Sequence, residues 1–425
     1  MAPAPLTWTI RLYQALTTVG APLALRAARR RFEATGGPMA RLPERAGRTA
    51  QPRPDGPLIW VHAVSVGESL SVMGLIEDMV RAGQSVLLTT TTATAAQLAA
   101  KRLPEGALHQ FAPIDTPQAT ARFLDHWRPD LAVFIESEIW PNQILACETR
   151  GIPRVLLNAR LSEKSLKNWG KRVRTAMALF TRFDRIMCQS DTTRTALIPL
   201  GAPPAHCSTT GDMKAAAPPL AFDAAEAALF TKNLGSRPLW VMSSTHPGEE
   251  EVASMAHGII TAQHPDALMI LVPRHPERGN EVETLLQGQG WSVARRSQGT
   301  PITPATQIYL ADTLGELGLW YHLAPMACVA GSFTPVGGHN PYEPAHFGCA
   351  VLHGPLYANF AMAYGAMAAR HAAIEVEDAT ALGLTVAGLF DSARLPVLQE
   401  KARRFVEAAT DIRAGILDTL LSLKN

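Results

Sequence analysis

The sequence predicts an α/β chain carrying two parallel β-sheets, and three observations lead there. Apolar runs of strand length recur along the chain and alternate with segments of helical period, the pattern of a parallel sheet covered on both faces. A Pro pair, Pro218-Pro219, follows three alanines near the midpoint, and the same rhythm restarts beyond it. The 425 residues, 47% of them hydrophobic, exceed one domain of ~150 residues and supply more than one core.

Residues 1–50 form a basic N-terminal segment. Leu6 to Ala28 is apolar but contains Arg11, and no uncharged apolar stretch of ~18 residues occurs, so a clean spanning helix is not expected. The Arg cluster at 26 and 29–31 follows the apolar part, the reverse of a signal peptide. Trp8, Ile10, Leu12, Tyr13, Leu16, Val19 and Leu23 with flanking arginines read as a helix lying in the headgroup zone of an anionic membrane. An ordinary core helix with a solvated basic tail is the other reading.

A first domain is expected over 51–214. Leu58–Val61 is a buried-strand run, and Val72, Leu75, Ile76, Met79 and Val80 then fall on one helical face that ends at Gly83. Val86–Leu88, Leu131–Ile135, Val155–Leu157 and Ile186–Cys188 continue as strands. Residues 215–219 read as a linker. A second domain over 220–400 has strands at Leu239–Met242, Leu268–Val272, Ile308–Leu310, Ala327–Val329 and Ala350–Leu352, and 401–425 reads as a C-terminal helix with the option of packing back on the first domain. Two Rossmann-like domains facing a cleft follow, with ligands expected at the C-terminal ends of the strands.

The net charge of +2 hides an asymmetry. Residues 1–53 hold nine Arg and no Lys against Glu33 and Glu44, a local +7, while the remainder carries 30 basic against 35 acidic groups, or −5. A basic head on a mildly acidic body suits an anionic surface and argues against a nucleic-acid partner. The five cysteines are widely spaced without a C-x-x-C, so neither a disulfide framework nor a zinc site is expected, and a reducing compartment fits. No H-E-x-x-H, G-x-x-x-x-G-K-[ST] or complete G-x-G-x-x-G occurs.

The loops after the strands concentrate the polar and glycine residues. Glu68 stands in Ser65-Val66-Gly67-Glu68 and reads either as a general base or as a carboxylate at a helix start. Glu136 and Glu138 leave an apolar strand beside Trp140. Strand alternation would send them the same way, so that repulsion raises one pKa or one of them pairs with a cation, unless both merely cap the next helix. In the second half, Ser244-Thr245-His246, Pro273-Arg274, Gly315-Glu316-Leu317 and the loop Gly331 to Pro344, with Gly337 and Gly338, open helices after strands. Helix N-termini, hydroxyls and the Arg274 fork make an anion site.

Six ordered motifs, S-V-G-E at 65–68, E-S-E-I-W-P at 136–141, S-T-H-P-G-E-E at 244–250, P-R-H-P-E-R at 273–278, D-T-L-G-E-L at 312–317 and G-S-F-T-P-V-G-G-H-N-P-Y-E-P at 331–344, resemble those of the 3-deoxy-D-manno-octulosonic acid (Kdo) transferases, glycosyltransferases of the GT-B fold. The resemblance runs from the N-terminal segment to near residue 405. It implies inverting, metal-independent transfer of Kdo from CMP-Kdo to a lipid A precursor of the lipid IVA type, without a cofactor, at the cytoplasmic face of the inner membrane. It places the base on Glu68 and transition-state stabilisation on Glu138 and Lys214. CMP contacts are carried onto Pro273, Arg274, Gly315, Glu316, Leu317, Asn340, Pro341, Tyr342 and Glu343, with Ser244, Thr245, His246, Gly337 and Gly338 as further donor-site candidates. Ser243 stands where glycine is more usual, Tyr342 where an aliphatic residue commonly stands, and three alanines follow Lys214. Another GT-B nucleotide-sugar transferase, an epimerase and a catalytically inert glycolipid-binding scaffold are the competing functions.

Overall fold

A computed structural model describes residues 3–424. The chain divides into two compact units, one of residues 1–217 with 409–425 and the other of 218–408. Each unit is built on one seven-stranded sheet, and every strand pairing is parallel.

In the first unit the strands are β1 (Leu58–His62), β2 (Ser85–Thr90), β3 (Ala107–Phe111), β4 (Leu131–Ile135), β5 (Arg154–Ala159), β6 (Arg185–Cys188) and β7 (Cys207–Thr209), in the order β3-β2-β1-β4-β5-β6-β7. β1 and β4 are buried along their whole length, which is why both read as unbroken apolar runs. One face of the sheet packs Trp60, Leu87 and Phe134 against Phe123, Trp127, Ile144 and Phe180. The other packs Ile59, Val61 and Val133 against Val72, Leu75, Ile76 and Met79 of the helix Val66–Arg81.

That second face is completed from the far end of the chain. The helix Arg394–Ser422 sets Leu395 and Leu398 against the core of the second unit, and its last turns add Ile416 and Leu420 to the core of the first. Arg413 pairs with Asp78 at 2.7 Å and donates to the Ala216 carbonyl.

In the second unit the strands are β8 (Leu239–Thr245), β9 (Leu268–Pro273), β10 (Val293–Arg295), β11 (Ile308–Leu310), β12 (Met326–Val329), β13 (Ala350–His353) and β14 (Ala373–Glu375), in the order β10-β11-β9-β8-β12-β13-β14. Trp240, Met242, Met269 and Leu271 pack on one side with Ala253, Ile260 and Leu382. Val241, Ile270 and Ala327 pack on the other with Leu319, Trp320 and Tyr321.

The apolar N-terminal stretch forms two helices, Trp8–Val19 and Ala21–Ala34, parted by Gly20 with Pro22 in the first turn of the second. Ile10 and Tyr13, expected on the outward face, instead turn inward. Ile10 packs with Leu145, Ala178 and Leu179, and the Tyr13 hydroxyl donates to Asp115 at 2.9 Å. The opposite face leaves Trp8, Leu12, Leu16, Val19 and Leu23 exposed, Trp8 at 73% and Val19 at 83%. Among the described residues no single helix is long and apolar enough to cross a bilayer.

Leu420→Ala is expected to destabilise the first unit by about 2–5 kcal/mol, the range for truncating a fully buried Leu, since Leu420 is wholly buried. Urea denaturation should show a lower midpoint at unchanged slope. An unchanged midpoint would show that the C-terminal turns do not complete this core.

Candidate functional site

In each sheet the strand order reverses beside the first strand: between β1 and β4 in one, between β8 and β12 in the other. The loops leaving such a pair run in opposite directions and open a crevice at the carboxyl ends of the strands. Glu68, Glu136 and Glu138 lie after β1 and β4, and Ser244, Thr245, His246, Gly337, Gly338 and residues 340–343 at or after the ends of β8 and β12, whereas Pro273 ends β9 and Arg274 follows it, residues 315–317 follow β11 and Lys214 follows β7.

In the first unit, the loop after β1 enters the helix Val66–Arg81. Ser65 caps it, accepting from the Glu68 N–H at 3.3 Å, while Glu68 reaches back, accepting from the Val64 N–H at 2.7 Å and the Ser65 hydroxyl at 2.9 Å. The S-x-x-E spacing is that of a capping box, so Glu68 does serve the helix start. Burial nevertheless raises its pKa, partly offset by these hydrogen bonds, and the nearby Glu136 raises it further.

β4 ends at Ile135, and Glu136 takes a left-handed conformation with φ of 56°. Strand alternation therefore does not carry through to Glu138, although the Glu136 charge still reaches it. Glu136 meets the Lys214 ammonium at 3.2 Å. The Glu138 carboxylate accepts from the Trp140 indole N–H, and burial, then Glu68 and Glu136, push its pKa up to about 7. Neither glutamate caps the following helix. The N–H groups of Asn142 and Gln143 go to Asp115, the same carboxylate that receives Tyr13, and burial lifts its pKa to about 6.

Lys214 lies on the short 3₁₀ turn Met213–Ala216. The Asp212 side chain accepts from the Lys214 N–H, and Asn158 accepts from the Met213 N–H. The lysine is thus matched to Glu136, with the Asp212 carboxyl close to both. His62, at the end of β1, is 1% exposed, with its Nε2 3.9 Å from the Glu138 carboxylate. A single histidine inside an apolar run gives no sequence signal, and it went unremarked.

In the second unit, the two acids of S-T-H-P-G-E-E are internal. Glu249 accepts from the N–H groups of His246 at 3.0 Å, Gly331 at 2.7 Å and Phe333 at 2.9 Å, clipping the loop after β8 to the loop after β12. Glu250 accepts from the Thr245 hydroxyl and from Arg278, each at 2.8 Å. Ser244 sits at φ of 61°, where β8 and β9 shift register. His246 and His339 stack with their Nε2 atoms 2.8 Å apart, and burial, followed by neighbouring cationic groups, lowers both pKa values, that of His339 to about 4. The pair therefore shares one proton between two neutral rings. Gly331, at φ of 70°, abuts the His339 ring, which a Cβ would approach to 2.7 Å. Gly338, at φ of 80°, lies against Tyr357, which a Cβ would approach to 3.0 Å.

Pro273 ends β9. Arg274 donates its N–H to the Thr245 carbonyl at 2.9 Å, and its side chain is exposed while Glu277 pairs with His275 at 3.5 Å. Gly315 turns the chain at φ of 86°, and Leu317 begins the next helix. The Glu316 carboxylate is engaged by Arg296 at 2.5 Å and by the Thr313 hydroxyl. Asn340 accepts from the Tyr342 N–H at 3.1 Å and donates to Glu343 at 3.3 Å. Pro341 and Tyr342 are buried, and the Tyr342 ring stacks on Phe405, which accounts for an aromatic residue at this position. Among the described residues no three His, Cys, Asp or Glu side chains converge as a metal-ligand set.

Two parallel sheets, each with polar loops at its point of strand reversal, define the architecture of GT-B glycosyltransferases and related nucleotide-sugar enzymes. A glycosyltransferase from Rickettsia africae is similar in structure, with a TM-score of 0.55 at 12% identity over 87% of this chain and 99% of that one. A UDP-GlcNAc 2-epimerase from Neisseria meningitidis is similar at 0.56 and 11% identity, over 86% of this chain and 100% of that one. In sequence, residues 40–217 match the family model of the 3-deoxy-D-manno-octulosonic-acid transferases. A probable mitochondrial 3-deoxy-D-manno-octulosonic acid transferase of Arabidopsis thaliana is 41% identical over 81% of this chain and 79% of its own length. The transferase of Bordetella pertussis is 36% identical over 88% and 89%. The chain belongs to the 3-deoxy-D-manno-octulosonic acid transferase family and is a glycosyltransferase.

Glu249→Leu is expected to strand three backbone donors at about 1–3 kcal/mol each, for a net loss of about 3 kcal/mol or more in urea denaturation, with faster amide exchange at His246, Gly331 and Phe333. Unaltered exchange at those three amides would remove Glu249 as the clip.

Proposed function

We propose that this Kdo transferase of lipopolysaccharide biosynthesis moves Kdo from CMP-Kdo, with inversion, to an acylated and phosphorylated glucosamine acceptor, a lipid A precursor of the lipid IVA type, with Glu68 as general base. The observation that carries the reading is the crevice between β1 and β4, where Glu136 pairs with Lys214 and lies near enough to raise the pKa of Glu68 and of Glu138. A sugar hydroxyl has a high pKa, and its attack needs a carboxylate within ~3 Å to take the proton. Burial that raises the Glu68 pKa moves it toward the operating pH of such a base. Glu138 and Lys214 are assigned to stabilising charge that develops in the transition state.

The donor role falls to the second unit. The exposed Arg274 fork suits two oxygens of the single CMP phosphate, and the helix starts at Leu317 and Tyr342 suit backbone contacts to the nucleotide. Because Tyr342 is buried and Glu316 is paired, Gly315, Glu316, Leu317, Asn340, Pro341, Tyr342 and Glu343 are assigned to the donor pocket chiefly through backbone and loop shape. Ser244, Thr245, His246, Gly337 and Gly338 shape the loops beside it.

The outward face of the helix Trp8–Val19, with the exposed arginines that follow it, supports seating on an anionic bilayer, the inner membrane on its cytoplasmic side. The apolar residues would enter the interface and the guanidinium groups meet lipid phosphates.

Glu68→Gln is expected to keep CMP binding and lose about 10²–10⁴ in turnover, read by mass spectrometry of the glycolipid product and by calorimetric titration of CMP. Wild-type turnover should rise with pH as Glu68 ionises, so the raised pKa brings the acid limb to a higher pH than an ordinary glutamate gives. Near-normal turnover of Glu68→Gln would place the base elsewhere. A product carrying no added Kdo, with an epimerised nucleotide sugar in its place, would overturn the transferase reading itself.

Trp8→Glu combined with Leu16→Glu and Val19→Glu leaves the inward face intact, unlike deletion of the helix, which would uncover Leu145 and Leu179. The triple variant is expected to fold normally and to bind vesicles containing anionic lipid about 10²-fold more weakly or worse, each lost apolar side chain being worth ~1.5–3 kcal/mol when fully buried. Unchanged vesicle binding would refute the seating.

A further inference from the structure

His62 is a wholly buried polar side chain beside the reacting carboxylates that none of the roles above uses. It ends β1, and its ring packs among Trp60 and Phe134. Its Nε2 is buried with no hydrogen-bond partner, and it lies 3.9 Å from Oε2 of Glu138, the oxygen that already receives the Trp140 indole. Its other nitrogen, Nδ1, is 2.9 Å from the Thr89 hydroxyl.

The tautomer follows from counting protons. The indole N–H of Trp60 can only donate, and it donates to Thr89 Oγ1 at 2.8 Å. The single Thr89 hydrogen has two acceptors within reach, His62 Nδ1 at 2.9 Å and the Val61 carbonyl at 3.4 Å. The shorter contact favours Nδ1 as the acceptor, an arrangement that leaves the ring's own hydrogen on Nε2, facing Glu138. The imidazole is neutral, because burial, with Arg45 adding to it, pushes its pKa down to about 3.

We propose that His62 is a positioning residue for Glu138: Trp60 and Thr89 hold it as the Nε2–H tautomer, and that N–H closes on the Glu138 carboxylate as the site engages substrate. Catalytic hydrogen bonds are commonly long in the empty site and tighten in the complex. The N–H and the Trp140 indole then fix Oε2 from two sides, so that Oε1 is the oxygen left to face the reacting centre. The other ionisable groups around Glu138 are Glu68 from the helix after β1, Glu136 from its own loop and Lys214, which is matched to Glu136. His62 is thus the neutral donor on a carboxylate that otherwise faces like charges. The inference rests on Glu138 having the role assigned above.

The test compares the wild type with His62→Phe, His62→Gln, Thr89→Val and Glu138→Gln in protein labelled with ¹³C at the glutamate side-chain carboxyls, the Glu138 signal being assigned by its loss in Glu138→Gln. A donor on the carboxylate favours its ionised form, so His62→Phe, which keeps the ring but not the N–H, is expected to raise the Glu138 titration midpoint. It should also lower kcat about 10²-fold, the scale of a lost alignment, with the KM for CMP-Kdo little changed. His62→Gln, which restores an N–H, should return both readings toward wild type. Thr89→Val, which frees the tautomer without touching the ring, should move both in the direction of His62→Phe, and it carries the test if His62→Phe does not fold. ¹⁵N spectra of the histidine rings should show His62 protonated at Nε2 alone. A Glu138 midpoint that is the same in wild type, His62→Phe and Thr89→Val, or a hydrogen on Nδ1, overturns the proposal. Full turnover by Glu138→Gln would instead overturn the catalytic assignment of Glu138, while the two NMR readings still judge the contact.

Discussion

A parallel sheet whose strand order reverses has one place where two neighbouring loops leave in opposite directions, and both units of this chain put candidate site residues there. The first sheet reverses between β1 and β4, and the loops after those strands carry Glu68, Glu136 and Glu138. The second reverses between β8 and β12, and the loops after those carry His246 and His339, clipped together by Glu249. The backbone is bent to suit. Three of the non-glycine residues with left-handed φ, Glu136, Asn158 and Ser244, lie at or near the carboxyl ends of β4, β5 and β8. Such conformations cost of order 1–3 kcal/mol each and persist where surrounding contacts over-determine them. Here those contacts are the Lys214 pair on Glu136, the Met213 N–H on Asn158 and the register shift between β8 and β9.

The two crevices differ in their electrostatics. The first sets Glu68, Glu136 and Glu138 near one lysine, and burial, with the neighbouring carboxylates adding to it, raises Glu68 and Glu138. The second consumes its acids internally, Glu249 on backbone donors, Glu250 on Arg278 and Glu316 on Arg296, and leaves Arg274 outward. A surplus of carboxylate suits taking a proton from a hydroxyl. A surplus of guanidinium suits an anion.

Most of the fold was legible because central strands of parallel sheets are buried on both faces and so read as continuous apolar runs. The four strands that sequence reasoning missed, β3, β7, β10 and β14, are the four sheet edges. Each is partly exposed and of mixed polarity, as in Cys207–Thr209, where two of three residues face solvent. The motifs located the crevices but not the duties within them. Glu249 and Glu250, which stand in one of those motifs, are tie-points, while Glu136 and Glu138 reach both expected outcomes, a cation on one and a raised pKa on the other, although the left-handed Glu136 breaks the strand alternation behind that expectation. Asp115, which joins Tyr13 to the start of the helix Pro141–Thr149, has partners too distant in sequence for any pattern to show.

The contribution of Ile416, Leu420 and Arg413 to the first unit sets an order of events during synthesis. The helix Val66–Arg81 is made well before Ile416 and Leu420, which cover it, since the 191 residues of 218–408 come between. At roughly 5–20 residues per second, that leaves on the order of ten to forty seconds in which the first unit has all seven of its strands and still lacks part of its cover. The domain translated first is therefore the one finished last.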